Sequence, residues 1–168
     1  DHRDLHCFPT RRSSDLKLIE EIEGNSQVMK GKIVDSIYFG GGTPAVLNPE
    51  QIERVVKALK ACYDVSQIRE FTFEAGRPDA IDEPLLLKLK ELGIDRVCVN
   101  PQTMDDRTLK LIGRKHNVEQ TVKAMGLVKH HAFHAVNMDL IVGLPEETLS
   151  DARHSIESVL ALKPENIT

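Results

Sequence analysis

Three consecutive glycines, Gly40-Gly41-Gly42, follow the run Ser36-Ile37-Tyr38-Phe39 and lead through Thr43-Pro44 into an amphipathic stretch. Glycines in such a turn leave bare N–H and C=O groups that a ligand can approach closely. The run is neither GxGxxG nor a P-loop, because no Gly-Lys-Ser/Thr follows, and its plain alternative is a tight strand-to-helix turn. Further along, Glu74 sits inside FTFEAG and Asp139 inside VNMDLIVGLP. A carboxylate among apolar neighbours needs donors, supplied either by a basic residue on the next strand or by the hydroxyls or ammonium of a ligand. Gln102 offers donors and acceptors together. Arg114 offers a planar fork that suits a carboxylate, or, in its ordinary role, the last carbonyls of a helix.

The other polar groups carry less chemistry. His130, His131 and His134 have no HExxH frame and read as a solvated helix end; His116 reads as a polar loop residue. Cys7, Cys62 and Cys98 form no CxxC pair and no zinc-type spacing. Cys62 and Cys98 read as small hydrophobes on a helix face and a strand.

The elements that must position these residues show in the hydrophobic period, which alternates between short β-branched or aromatic runs and longer amphipathic stretches. Strands are expected at 33–39, 69–75, 95–101 and 134–144, with another beginning at 166. Helices are expected over 49–63, 83–92, 105–112, 118–132 and 148–162. Asn48, Asp82 and Asn117 are their caps, and Gly93 and Gly113 are their stops. This alternation predicts an α/β fold with a parallel sheet, either doubly wound or part of a (β/α) barrel. In both architectures ligands sit beyond the carboxyl ends of the strands, where Gly40 to Pro44, Glu74, Gln102 and Asp139 fall.

Composition excludes several classes. The 168 residues are 40% hydrophobic, enough to bury a core, and the net charge of −4 gives no basic excess for nucleic acid or an anionic membrane. No apolar run approaches the ~18 residues of a membrane span, and the first residues lack a signal-peptide core. The expected location is cytoplasmic, without nucleic-acid or membrane partners. Residues His6 to Leu16, HCFPTRRSSDL, resemble the translation of a sequencing adapter at every position but Cys7. Residues 1–16 are therefore expected to be extraneous and disordered, with residues 17–168 forming the folded segment.

In this order, YFGGGTP, FTFEAG, NPQTMDDRTLKLIGR and NMDLIVGLP resemble the radical S-adenosylmethionine family of oxygen-independent coproporphyrinogen III oxidases. NPQTM together with EAGRPD is similar to its coproporphyrinogen dehydrogenase branch. The resemblance spans about residues 33–168. It implies a parallel (β/α) partial barrel of radical SAM type, incomplete in this fragment, which would hold the family's second to fifth strands and a start on the sixth.

The chemistry implied by the resemblance needs a [4Fe–4S] cluster on three cysteines, S-adenosylmethionine, an electron donor for the cluster and a porphyrinogen substrate, whose propionates lose CO₂ to become vinyl groups. It makes Gly41, Gly42 and Thr43 contacts to the cofactor's methionine end. Glu74, Gln102, Arg114 and Asp139 become further cofactor-binding residues. The family's CxxxCxxC-type motif precedes the glycine strand, and no such motif stands there in this sequence, so the fragment itself is expected to be inactive. Two alternatives stay open: a haem-binding or haem-chaperone relative with the same barrel, and a phosphate- or nucleotide-binding α/β domain that uses the glycine turn.

Overall fold

The helices that follow the glycine turn begin where a side chain takes up orphan N–H groups of the first turn. A computed structural model describes residues 11–41 and 43–168. In chain order these form α1 (Arg11–Gly24), β1 (Ser36–Phe39), α2 (Pro49–Cys62), β2 (Glu70–Gly76), α3 (Glu83–Glu91), β3 (Arg96–Gln102), α4 (Asp106–Leu111), α5 (Val118–His130), β4 (Ala135–Leu140), α6 (Leu149–Ala161) and β5 (Asn166–Ile167). Short 3₁₀ turns lie at Ser26–Met29, Pro44–Val46 and Pro78–Ala80. Asn48 with Gln51, Asn117 with Gln120, and Thr148 with Asp151 form reciprocal capping boxes on α2, α5 and α6. Asp82 caps α3 by accepting from the Leu85 N–H.

The strands form one parallel sheet in the order β1-β2-β3-β4-β5, the same as their order in the chain. That identity decides between the two expected architectures. Right-handed crossovers between strands laid down in sequence put every connecting helix on the same face, which is barrel winding, whereas a doubly wound sheet must reverse. A single cluster accordingly joins Ile52 and Val56 of α2, Leu85, Leu86 and Leu89 of α3, Met125 and Val128 of α5 and Val159 of α6 to one face of the sheet.

Strand parity divides the two faces. The register places Phe39 beside Phe73, Phe73 beside Val97 and Val97 beside Val136, and Val99 pairs with Met138. These side chains point at the helices, and Phe73, Val97, Val99 and Met138 are completely buried. The alternate residues, Tyr38, Thr72, Glu74, Arg96, Cys98, Asn137 and Asp139, lie on the other face. Cross-strand pairing aligns Glu74, Cys98, Asn137 and Asn166 in one row.

The N-terminal helix departs from the expectation of disorder through residue 16. Residues 11–16 are the first turns of α1, and Asp15 is wholly buried against α2. Its carboxylate accepts from Gln51 Nε2 at 3.0 Å and from Arg54 Nε at 3.1 Å. The Tyr63 hydroxyl donates to the Ile22 carbonyl at 3.0 Å. Docking runs through a buried carboxylate, and no hydrophobic period marks this helix. Cys7 lies outside the described residues. Among the described residues no helix is long and apolar enough to cross a membrane. Leu149, Ile156 and Leu160, on α6, remain exposed.

Candidate functional site

The polar residues gather at the carboxyl ends of the strands, on the face that none of the described helices covers. The turn after β1 is built around what a side chain would disturb. A Cβ on Gly40 would lie 2.1 Å from Cε1 of the Tyr38 ring and 2.8 Å from Glu74 Oε2, so Gly40 leaves room for the site's own side chains. Gly41 has φ +109°, a conformation costly to L side chains, and nothing stands within 4 Å of where its Cβ would be. Its N–H donates to Glu74 Oε2 at 3.2 Å. Gly42 lies outside the described residues. Thr43 has φ 61° and packs its methyl against Gly76, where a Cβ would stand 3.1 Å away.

Among the described residues Glu74 is held by neutral donors alone. Tyr38 Oη and the Gly41 N–H donate to one carboxylate oxygen, and Asn100 Nδ2 donates to the other at 3.2 Å. No cation is paired with it among the described residues; Arg96, the basic residue on the adjacent strand, pairs with Glu70 at 2.9 Å. Among the described residues Asp139 is likewise without a cation. It accepts from Asn137 Nδ2, whose own Oδ1 accepts from Thr168 Oγ1 at 3.1 Å. The simple structural alternative for both carboxylates, an ion pair across strands, is therefore not realised among the described residues.

Burial pushes the Asp139 carboxyl above its ordinary value of 3.8; the Asn137 amide opposes the rise and the Glu74 charge adds to it. A native carboxyl raised in this way contributes fully to stability below 3.8, and the contribution is lost as pH climbs through the raised value. Asp139→Asn preserves the acceptor for Asn137. Its melting temperature is expected to pull ahead of wild type as pH rises from the acid side to neutrality, and a pH-independent difference would contradict this origin.

Cys98 is buried on a strand, as expected, but not in the cluster beneath the helices. Val97 and Val99 face the helices, so Cys98 faces the polar side, beside Tyr38, and burial raises its thiol pKa. Asn100 and Asn137 are also buried on this side. Sequence reasoning assigned no individual ligand-binding role to Tyr38, Cys98, Asn100 or Asn137. Their signal was parity, because each stands an even number of residues from Glu74 or Asp139 or pairs with a residue that does.

Gln102 and Arg114 lie at the same end of the sheet, and neither side chain forms a hydrogen bond or ion pair with Glu74. Gln102 is buried with φ 70°, and its carbonyl accepts from the Ile141 N–H at 2.8 Å, which ties the ends of β3 and β4 together. Arg114 follows Gly113, whose φ of 73° ends α4, and its N–H returns to the Leu109 carbonyl at 2.9 Å. The half-buried guanidinium makes no ion pair with any described residue, which leaves its fork available.

His116, expected in a polar loop, is buried instead: Nε2 lies 3.1 Å from the Pro101 carbonyl and so carries the proton. His130 and His134 are exposed as expected. His131 is not, since its ring is packed beside Glu83 with Nε2 3.0 Å from the carboxylate. Among the described residues no group of His, Cys, Asp and Glu side chains is arranged to hold a metal ion, and Cys62 and Cys98 lie on separate elements. Those residues do not fit an iron–sulfur cluster.

Known proteins are similar to this chain in sequence and fold. The oxygen-independent coproporphyrinogen-III oxidase-like protein HemZ of Bacillus subtilis is 44% identical over 136 residues, 80% of this chain and 27% of its own length. The heme chaperone HemW of Lactococcus lactis is 33% identical over 145 residues, 86% of this chain and 38% of its own. The solved structure of coproporphyrinogen III oxidase HemN from Escherichia coli, described as a radical SAM enzyme, superposes with a TM-score of 0.84 at 26% identity; it covers 95% of this chain and 38% of that one. The chain thus spans well under half the length of these relatives. The Radical SAM superfamily model matches residues 4–159. With that match over most of its length and a sheet wound in barrel order, the chain belongs to the radical SAM superfamily.

Proposed function

We propose that residues 17–168 are the cofactor-binding part of a radical S-adenosylmethionine enzyme that oxidatively decarboxylates the propionates of a porphyrinogen. The observation that carries this reading is that, among the described residues, the carboxylates of Glu74 and Asp139 have no cation and Arg114, at the same end of the sheet, has no ion-pair partner. S-adenosylmethionine has complementary groups: an ammonium and a sulfonium for the carboxylates, a carboxylate for the arginine fork, and ribose hydroxyls for Gln102. Gly41, Gly42 and Thr43 supply backbone groups to its methionine end. When bound beside a reduced [4Fe–4S] cluster, the cofactor supplies a carbon-centred radical able to abstract hydrogen from a substrate. The cluster would be held by residues other than those described, and its electrons would come from a separate donor.

The likeness to a heme chaperone supports a second reading, in which the same barrel binds haem and no porphyrinogen is converted. Two titrations of the full-length polypeptide separate the possibilities. For S-adenosylmethionine, Glu74→Gln and Arg114→Ala are each expected to weaken binding by about ten- to a hundredfold, the weight of a hydrogen bond to a charged group. Unchanged binding in both would instead favour a nucleotide-binding domain built on the glycine turn. For haem, tight binding without conversion of coproporphyrinogen would favour the chaperone reading over the oxidase.

A further inference from the structure

Asn100 is a buried amide with one end in use and the other unused. Its side chain stands on β3 between Cys98 and the turn at Gln102, with the residue only 9% exposed. Nδ2 donates to Glu74 Oε1 at 3.2 Å, whereas Oδ1 is buried without any hydrogen-bond partner among the described residues. The orientation is fixed by chemistry, since an ionised carboxylate only accepts and the amide must turn its N–H toward it. A buried acceptor without a donor destabilises a fold. An apolar residue would avoid that cost, so Asn100 has no purely structural justification.

The other end of the amide has one. Asn100 occupies Oε1 while Tyr38 and the Gly41 N–H occupy Oε2, so both oxygens of Glu74 are pinned. The main chain beneath is fixed as well: Pro101 restricts Asn100 to an extended backbone, and the Pro101 carbonyl accepts from His116 at 3.1 Å.

We propose that Asn100 is a positioning residue, which holds the Glu74 carboxylate in the rotamer that meets S-adenosylmethionine and affects binding only through Glu74. The proposal rests on the reading of this face as the S-adenosylmethionine site.

The test is a double-mutant cycle in the full-length, cluster-loaded polypeptide, with the dissociation constant of S-adenosylmethionine read by calorimetry and the melting temperature read beside it. Asn100→Ala is expected to weaken binding about tenfold. Its melting temperature should equal or exceed that of wild type, because the orphaned acceptor is gone. Introduced into Glu74→Gln, the same change should alter affinity by less than about twofold. Asn100→Asp keeps the shape but sets acceptor against acceptor, and at neutral pH it should weaken binding at least as much. Wild-type affinity in Asn100→Ala would overturn the assignment of Asn100 alone, as would losses that multiply in the double variant or that track a fall in melting temperature. Failure of the wild-type protein to bind S-adenosylmethionine would instead sink the reading of the face, and the proposal with it.

Discussion

Gly40→Ala is expected to reduce the affinity of the full-length polypeptide for S-adenosylmethionine by about a hundredfold or more, with little change in its melting temperature. The added methyl would stand 2.1 Å from Tyr38 Cε1, 2.7 Å from Cδ1 and 2.8 Å from Glu74 Oε2, closer than nonbonded atoms approach. The exposed Tyr38 ring can swing outward to admit it, so the packed core is spared. The carboxylate cannot stay. Turned away from Tyr38 and the Gly41 N–H, it no longer meets the ligand, and a charge-assisted hydrogen bond lost to a ligand is worth roughly 3 kcal/mol. That exceeds the effect of Glu74→Gln, which leaves the turn intact. Calorimetric titration with S-adenosylmethionine beside thermal melts checks both halves; normal binding by the Gly40→Ala variant would show that the turn has slack the geometry denies.

The second large effect falls on the opposite face. Phe73→Ala is expected to cost about 3–5 kcal/mol, the range for removing a fully buried aromatic ring. Phe73 is 0% exposed on β2, and Phe39 meets it edge to face at 5.3 Å. Domains hold only about 5–15 kcal/mol in total, and this sheet ends in a two-residue strand, β5, with apolar side chains of α6 in water. The loss therefore consumes much of the available margin. Urea unfolding of the 168-residue chain should show the midpoint falling sharply in Phe73→Ala and much less in Phe73→Leu. Equal midpoints for wild type and Phe73→Ala would mean that the ring is not packed as described.

Particular residues show how much of this was legible beforehand. The helix starts at Asn48, Asp82 and Asn117 are written in side chains that cap, and the structure begins the helices one residue later. The strands were visible because aromatic and β-branched runs alternate with amphipathic ones. Glu74 and Asp139 stood out because a charge in an apolar run is costly without a partner, and neither has a cationic one among the described residues.

What stayed hidden depended on tertiary contact. Helix α1 shows no hydrophobic period, and the buried carboxylate of Asp15 docks it on Gln51 and Arg54. Cys98 looks like core material in VCV, and only cross-strand register turns it toward Glu74 and Asn137. His116 gives no local hint of burial; the partner that draws it in is the carbonyl of Pro101, fifteen residues earlier.

The sheet carries two texts interleaved at single-residue spacing, one addressed to the helices and the other to the ligand. Neither can shift without the other. Inserting one residue early in β3 would send Val97 and Val99 out to the polar face and bring Cys98 and Asn100 in among Leu86, Leu89 and Met125. Evolution of this face is thus confined largely to substitution: strands here can change letters but change phase only at the register shifts after Glu74 and Val99, and other variation in length must be absorbed by the turns that join them.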